Sequence, residues 1–119
     1  MTAVACMPNT NPAVGTPETV QYILEKAKKA KARVYPVVCI TKGMSGGELT
    51  DMKALREAGA VAVSDDGRPV KNAKTMMEGM KLAKKNKLLS ISHCEDLDII
   101  DGGIIHKGKV SEELGVKGM

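Results

Sequence analysis

The chain alternates between short apolar runs and longer segments in which apolar residues recur at helical spacing. The apolar runs, bounded by polar, Gly or Pro residues, predict buried strands at residues 3–7, 34–40, 60–64 and 88–92. The segments between them carry apolar residues every three or four positions and predict helices at residues 17–31, 48–58 and 72–85. Residues 97–119 are glycine-rich and less regular, so the pattern predicts only short elements there.

Several element ends are marked by individual residues. Thr16 and Pro17 predict the start of the first helix, as N-cap and first helical residue, and Gly59 predicts the end of the second. Pro36 has no backbone N–H to donate, so we expect it near the start of its strand. The third helix carries an apolar stripe that we expect to face the core: Ala73, Met76, Met77, Met80 and Ala83.

A strand, a loop and a helix thus follow one another three times before a fourth strand. This order is typical of an α/β fold with a parallel sheet and right-handed crossovers. The carboxyl ends of parallel strands share one edge of the sheet, where ligands bind. Polar groups follow the strands at Asn9, Asp65, Asp66, His93, Glu95 and Asp96. Asp66 and His93 would end neighbouring strands, so we expect them to meet on one metal ion or one substrate.

Ordinary structural roles are also open for these groups. The segment Asp65-Asp66-Gly67 fits a turn, and Asn9 lies between two prolines. Glu95 and Asp96 are suited to capping a following helix, and a single histidine such as His93 is more often structural. Two protein ligands are also too few for a zinc site, which needs at least three. His106, in a tail rich in Gly and Lys, is expected to be exposed.

Composition narrows the classes of function. The chain has 119 residues, 43% of them hydrophobic, which is the size of one small globular domain. It has no Phe or Trp and only two Tyr, so it lacks the aromatic side chains on which nucleic-acid bases stack. Its net charge of +4 arises from lysines in helical patterns, so we expect no nucleic-acid partner. No apolar run is long enough to span a membrane, and three cysteines without metal-finger spacing fit a reducing cytoplasm.

Three segments carry more specific information. They are Cys6-Met7-Pro8-Asn9-Thr10-Asn11-Pro12, Ser64-Asp65-Asp66-Gly67 and Ser92-His93-Cys94-Glu95-Asp96. Together they resemble successive motifs of the class I dihydroorotases, the zinc amidohydrolases of pyrimidine biosynthesis, and the resemblance extends to residues 110–115. It implies a TIM, or (β/α)8, barrel, a fold of about 250 residues, of which this chain would form about half.

The resemblance also implies roles for individual residues. Asn9 corresponds to the family's Asn that binds the substrate carboxylate. Asp66 corresponds to the carboxylate at the metal site, and His93 to a zinc-ligating histidine. Family members interconvert N-carbamoyl-L-aspartate and dihydroorotate, using a metal-bound hydroxide on the ring amide and an Asp that shuttles the proton. The implied cofactor is therefore zinc in the full-length parent, and the implied partner is this small-molecule substrate.

Other family motifs have no counterpart in the sequence: the His-x-His-x-Arg of the first barrel strand, the later His ligand and the catalytic Asp. We therefore expect residues 1–119 to be a single partial barrel domain of about four strands and three helices. It would be the central fragment of a dihydroorotase, inactive alone, with no catalytic residue of its own. Open sheet edges predict self-association. A stand-alone, non-catalytic α/β binding or scaffolding module and a non-catalytic dihydroorotase homologue are the alternatives.

Overall fold

The chain forms a sheet of four parallel strands with helices between them. A computed structural model describes residues 1–119. In chain order the elements are β1 (Ala3–Cys6), α1 (Pro17–Ala27), β2 (Arg33–Val38), α2 (Met52–Glu57), β3 (Ala62–Val63), α3 (Ala73–Lys85), β4 (Leu89–Ser90), α4 (Leu97–Ile100) and α5 (Lys109–Leu114), with a 3₁₀ turn at Lys42–Met44. The strands pair in the order β1-β2-β3-β4, every pair parallel. The predicted parallel α/β arrangement is confirmed, and it is consistent with part of a TIM barrel.

The hydrophobic core lies where α1, α2 and α3 pack on one face of the sheet. Its buried side chains include Val20, Val38, Met52, Leu55, Val63 and Ala83. The radius of gyration is 16.6 Å, against about 13.5 Å for a compact domain of this length. The chain is therefore more extended than a compact domain, and because β1 and β4 do not pair, they are the free edges of an open sheet. None of the helices has the length and apolar character needed to cross a membrane.

Side-chain caps fix where the helices begin. The Thr16 hydroxyl accepts a hydrogen bond from the N–H of Thr19, and Pro17 opens α1, as the sequence predicts. The second helix begins at Met52, four residues later than predicted, because the Asp51 carboxylate accepts from the N–H of Ala54. Leu49, predicted to be helical, instead forms an antiparallel bridge with Thr41.

Pro36 lies in the interior of β2, and the expectation that it sits near the start of the strand is wrong. It is in register with Cys6, the last residue of β1. The pairing of β2 with β3 begins only at Val37, so no β3 residue is paired with Pro36. The Pro36 carbonyl accepts from the N–H of Val61, just before β3 begins. A proline is tolerated here because the ladder with β3 has not yet begun.

The methionine stripe of α3 does not face the core as a whole, which corrects the prediction from its spacing. Met77 and Met80 are each 50% exposed, whereas Gly79 and Ala83 are buried. A Cβ at Gly79 would lie 2.9 Å from Ile40 Cγ2, so the small residues let the helix approach the sheet. The longer methionine side chains consequently project toward the free β4 side, where they line a groove with Leu89.

Candidate functional site

Asn9, Asp66 and His93 lie together at the carboxyl edge of the sheet. Asn9 follows β1, Asp66 follows β3 and His93 follows β4. The Asn9 Nδ2 amide donates a hydrogen bond of 2.9 Å to Asp66 Oδ2. The other oxygen of Asp66, Oδ1, is 3.7 Å from His93 Nδ1. Three side chains that are far apart in the sequence thus form one continuous polar group.

The two adjacent carboxylates of the Asp-Asp-Gly turn have different surroundings. Asp65 is buried and accepts hydrogen bonds from the backbone N–H groups of Ile40 and Thr41, at 2.8 and 3.1 Å. It also accepts a hydrogen bond from the Thr41 hydroxyl. Asp66 is half-buried and faces Asn9 and His93. Asp65 therefore ties the end of β2 to the end of β3, and this anchor fixes the position from which Asp66 reaches the polar group.

The imidazole of His93 lies between two carboxylates. Its Nδ1 faces Asp66, and its Nε2 is 3.4 Å from Glu95 Oε2. Because these contacts are on opposite sides of the ring, the three groups do not converge on one point. No group of three or more His, Cys, Asp or Glu side chains is arranged to hold a metal ion. The Asp66–His93 pair therefore offers two adjacent donor atoms to a cation.

Four carboxylates lie in and around this pair, whereas the cationic Arg68 and Lys71 line a separate cavity beside Glu95. Asp65, Asp66, Glu95 and Asp96 all lie at this edge, and none of them forms an ion pair with Lys or Arg. Carboxylates that lie close together without a cation repel one another, so the edge favours a bound positive charge. The charge of Asp65 also affects Cys39: burial, together with this nearby charge, raises the pKa of the Cys39 thiol to about 11.

A cavity of about 320 Å³ adjoins the polar group, a size within the usual range for small-molecule sites. Its wall combines apolar and polar side chains, among them Ile40, Val70, Met76, Ile91, His93 and Glu95.

Glu95 and Asp96, which follow His93, have different roles: one caps a helix and the other contacts the His93 ring. Asp96 caps α4, and its carboxylate accepts from the N–H groups of Asp98 and Ile99. Glu95 instead contacts the ring of His93, a role that sequence reasoning missed. The signal was the spacing His93-x-Glu95, because a tight turn, in which the Glu95 N–H donates to the His93 carbonyl at 3.0 Å, brings the two side chains together. His106 is exposed, as predicted.

Comparison with known proteins places the chain in one family. The family described as dihydro-orotase-like matches residues 1–119. Curated relatives called dihydroorotase include those of Citrifermentans bemidjiense, 48% identical, and Ruminiclostridium cellulolyticum, 47% identical, over 99% and 98% of this chain. The dihydroorotase of Acetivibrio thermocellus is 44% identical over 99% of the chain. The chain spans 28% of the length of each of these relatives. Because the family match covers the whole sequence, the chain belongs to the dihydroorotase-like family.

Proposed function

We propose that residues 1–119 supply part of the active site of a dihydroorotase, which interconverts N-carbamoyl-L-aspartate and dihydroorotate. The observation that carries the proposal is the 3.7 Å contact between Asp66 Oδ1 and His93 Nδ1 at the ends of adjacent strands. Relatives named dihydroorotase support it, although the chain spans only 28% of their length. The complete reaction therefore belongs to a larger assembly of residues than this chain contains.

The distance between the donor atoms of Asp66 and His93 is compatible with two ligands of one zinc ion. Two atoms that each lie about 2.0–2.2 Å from a tetrahedral zinc ion are about 3.4 Å apart. The Asp66–His93 separation of 3.7 Å is close to this value. An imidazole nitrogen and a carboxylate oxygen are both common zinc ligands. Asp66 and His93 would thus hold part of the coordination sphere, and the bound metal would polarise the substrate amide and activate water.

Asn9 is suited to orienting the substrate. An amide nitrogen has two N–H donors, and one of those on Asn9 is used in the 2.9 Å bond to Asp66. The second N–H is available for a substrate carboxylate. The bond to Asp66 would fix the position of that donor relative to the metal-binding pair, so Asn9 would set the distance between the substrate's carboxylate and its reacting amide.

We propose three further properties of the chain: inactivity on its own, self-association and a reducing compartment. Because a catalytic zinc site needs at least three protein ligands, we expect residues 1–119 alone not to turn over dihydroorotate. The free edges at β1 and β4 and the half-exposed methionines of α3 favour association with a second copy. The three free thiols fit a reducing cytoplasm.

A chimera provides the test of the active-site role. The matched stretch of the Citrifermentans bemidjiense dihydroorotase is replaced by this chain, which is 48% identical to it. We expect the chimera to interconvert the two substrates. The variants Asp66→Ala and His93→Ala should lose more than about 100-fold in turnover, since each removes a metal ligand and loss of a ligand's orienting partner alone costs about 10–100-fold. His106→Ala, an exposed histidine, is the matched control and should keep full activity.

Zinc binding provides a second measurement on the 119-residue chain itself. Addition of Zn²⁺ should shift the NMR signals of the His93 ring and leave those of His106 unchanged, and Asp66→Ala should weaken that response. The proposal fails if the Asp66→Ala and His93→Ala chimeras are as active as the unsubstituted chimera. Turnover of dihydroorotate by the chain alone, above a metal-only blank, would contradict the expected inactivity.

A further inference from the structure

The two contacts of the His93 ring cannot be alike. A neutral imidazole has one N–H donor and one bare nitrogen, and an ionised carboxylate can only accept. Asp66 faces Nδ1 at 3.7 Å and Glu95 faces Nε2 at 3.4 Å. Neither contact has hydrogen-bond geometry, so both carboxylates act on the ring through charge: the one beside the N–H is attracted, whereas the one beside the lone pair is repelled unless a cation lies between them. The position of the proton decides which side of the ring is ready to bind a metal.

Glu95 attracts the ring proton more strongly than Asp66 does, because of its distance from the ring and its lack of other partners. Glu95 Oε2 is the nearer oxygen, and the Glu95 carboxylate accepts no hydrogen bond, so its full charge faces Nε2. Asp66 already accepts from the Asn9 amide at 2.9 Å, which draws part of its charge away from the ring. A local turn, in which the Glu95 N–H donates to the His93 carbonyl at 3.0 Å, brings the Glu95 side chain to the ring.

We propose that Glu95 is a positioning residue for His93, one that holds the ring proton on Nε2 and so directs the bare Nδ1 toward Asp66. Nδ1 and Asp66 Oδ1 then present two lone-pair donors to the same point. Partners that orient a metal-binding imidazole in this way commonly change metal affinity about 10–100-fold when removed. The functional meaning rests on the proposed metal role of His93, but the proton position does not depend on any metal.

The test reads the proton position in the 119-residue chain by long-range ¹H–¹⁵N correlation NMR of the neutral histidine rings. The wild-type His93 should carry its proton on Nε2. In Glu95→Ala, Asp66 is the remaining carboxylate at the ring, so the ratio of Nε2–H to Nδ1–H forms should fall about two- to fivefold, as expected for loss of one half-exposed charge contact. Glu95→Gln keeps the shape of the side chain but removes its charge, so it should lower the ratio as well.

Two controls separate this role from a general effect on the fold. Glu78→Ala removes an exposed glutamate of α3 that forms no ion pair, and should leave the ratio unchanged. Asp66→Asn removes the competing charge and should move the ratio further toward the Nε2–H form. The exposed His106 serves as an internal reference in every spectrum.

A titration with Zn²⁺ alone then links the proton position to metal binding. Glu95→Ala should raise the concentration that half-saturates the His93 response by about 10–100-fold. A folded Glu95→Ala chain with the wild-type tautomer ratio would overturn the inference. If the ratio shifts but zinc leaves His93 unaffected in the wild type, the positioning role is supported and the proposed ligand role of His93 is refuted.

Discussion

The carboxylate of Asp65 accepts hydrogen bonds from both the backbone N–H and the side-chain hydroxyl of Thr41. These bonds join the end of β3 to the segment that follows β2, and the N–H of Ile40 adds a third bond to the same carboxylate. Asp65 is only 3% exposed and has no cationic partner within ion-pair distance. Three donors from a neighbouring strand end therefore replace its lost hydration, which makes Asp65 a structural anchor rather than a metal ligand.

Removal of this anchor should destabilise the fold. We expect Asp65→Ala to lower the free energy of unfolding by about 2–5 kcal/mol, because it leaves two buried N–H donors without an acceptor. Asp65→Asn keeps an acceptor oxygen and should cost less. Asp66→Ala, one residue away and half-buried, should cost less than about 1 kcal/mol. Urea denaturation followed by circular dichroism measures all three, and equal losses for Asp65→Ala and Asp66→Ala would contradict the division of roles.

The period-two pattern of strands explains which parts of this site were predictable. The β–loop–α order and the meeting of strand ends follow from spacing, and both are present in the structure. The split between Asp65 and Asp66 was not within reach, because residues 62–64 are all buried, so alternation along the strand favours neither carboxylate. The late start of α2 was not predictable either, since the antiparallel bridge from Leu49 to Thr41 is a tertiary contact that overrides helical spacing.

The methionines of α3 show a second limit of sequence patterns. Helical spacing places Met77 and Met80 on an apolar stripe, but the stripe does not say whether a neighbouring element covers it. The small residues Gly79 and Ala83 determine which side of α3 meets the sheet. The side of α3 that packs on the sheet depends on how closely α3 approaches Ile40. This distance cannot be predicted from the spacing of apolar residues in α3.

Gly79 should therefore resist replacement by alanine. Alanine favours a helix by about 1 kcal/mol over glycine, but the new Cβ would lie 2.9 Å from Ile40 Cγ2 and 3.3 Å from Leu49 Cδ2. Overpacking of this kind costs about 1–3 kcal/mol, so we expect a net loss of about 1 kcal/mol. Gly47→Ala, where the new Cβ meets only Ser45 Oγ at 3.5 Å, is the matched control and should be neutral. If Gly79→Ala unfolds at a higher temperature than the wild type, the side chains of Ile40 and Leu49 must move to accommodate the new methyl group, and the prediction is wrong.

Cys39 should make stability depend on pH in the alkaline range. Burial, followed by the charge of Asp65, raises the pKa of its thiol from 9.0 to about 11. Below pH 9 the thiol is protonated in both the folded and the unfolded chain. Between about pH 9 and 11 the unfolded chain loses this proton first, so the stability that the neutral thiol provides falls by about 2–3 kcal/mol as pH rises.

The measurement compares the wild type with Cys39→Ala from pH 8 to pH 11.5. Lysine deprotonation affects both proteins equally, so the difference in their free energies of unfolding isolates the contribution of Cys39. We expect the wild type to lose more stability than Cys39→Ala as pH rises. Cys94→Ala, which removes an exposed thiol, should give a difference that changes little. A constant difference for Cys39→Ala would mean that the buried thiol titrates as it does in the unfolded chain.

The free edge at β4 should control self-association. Leu89, on this edge, is 72% exposed, and it lines a groove of about 840 Å³ together with Met77 and Met80. Three lysines also border this groove, so the apolar floor is the part that a second copy would cover. Leu89→Lys adds a charge to the edge, a common device against strand pairing, and should shift sedimentation toward the monomer. Leu114→Lys changes a leucine of α5 that is 65% exposed and should leave the distribution unchanged. A wild-type chain that sediments as a monomer at all concentrations would rule out association through this edge.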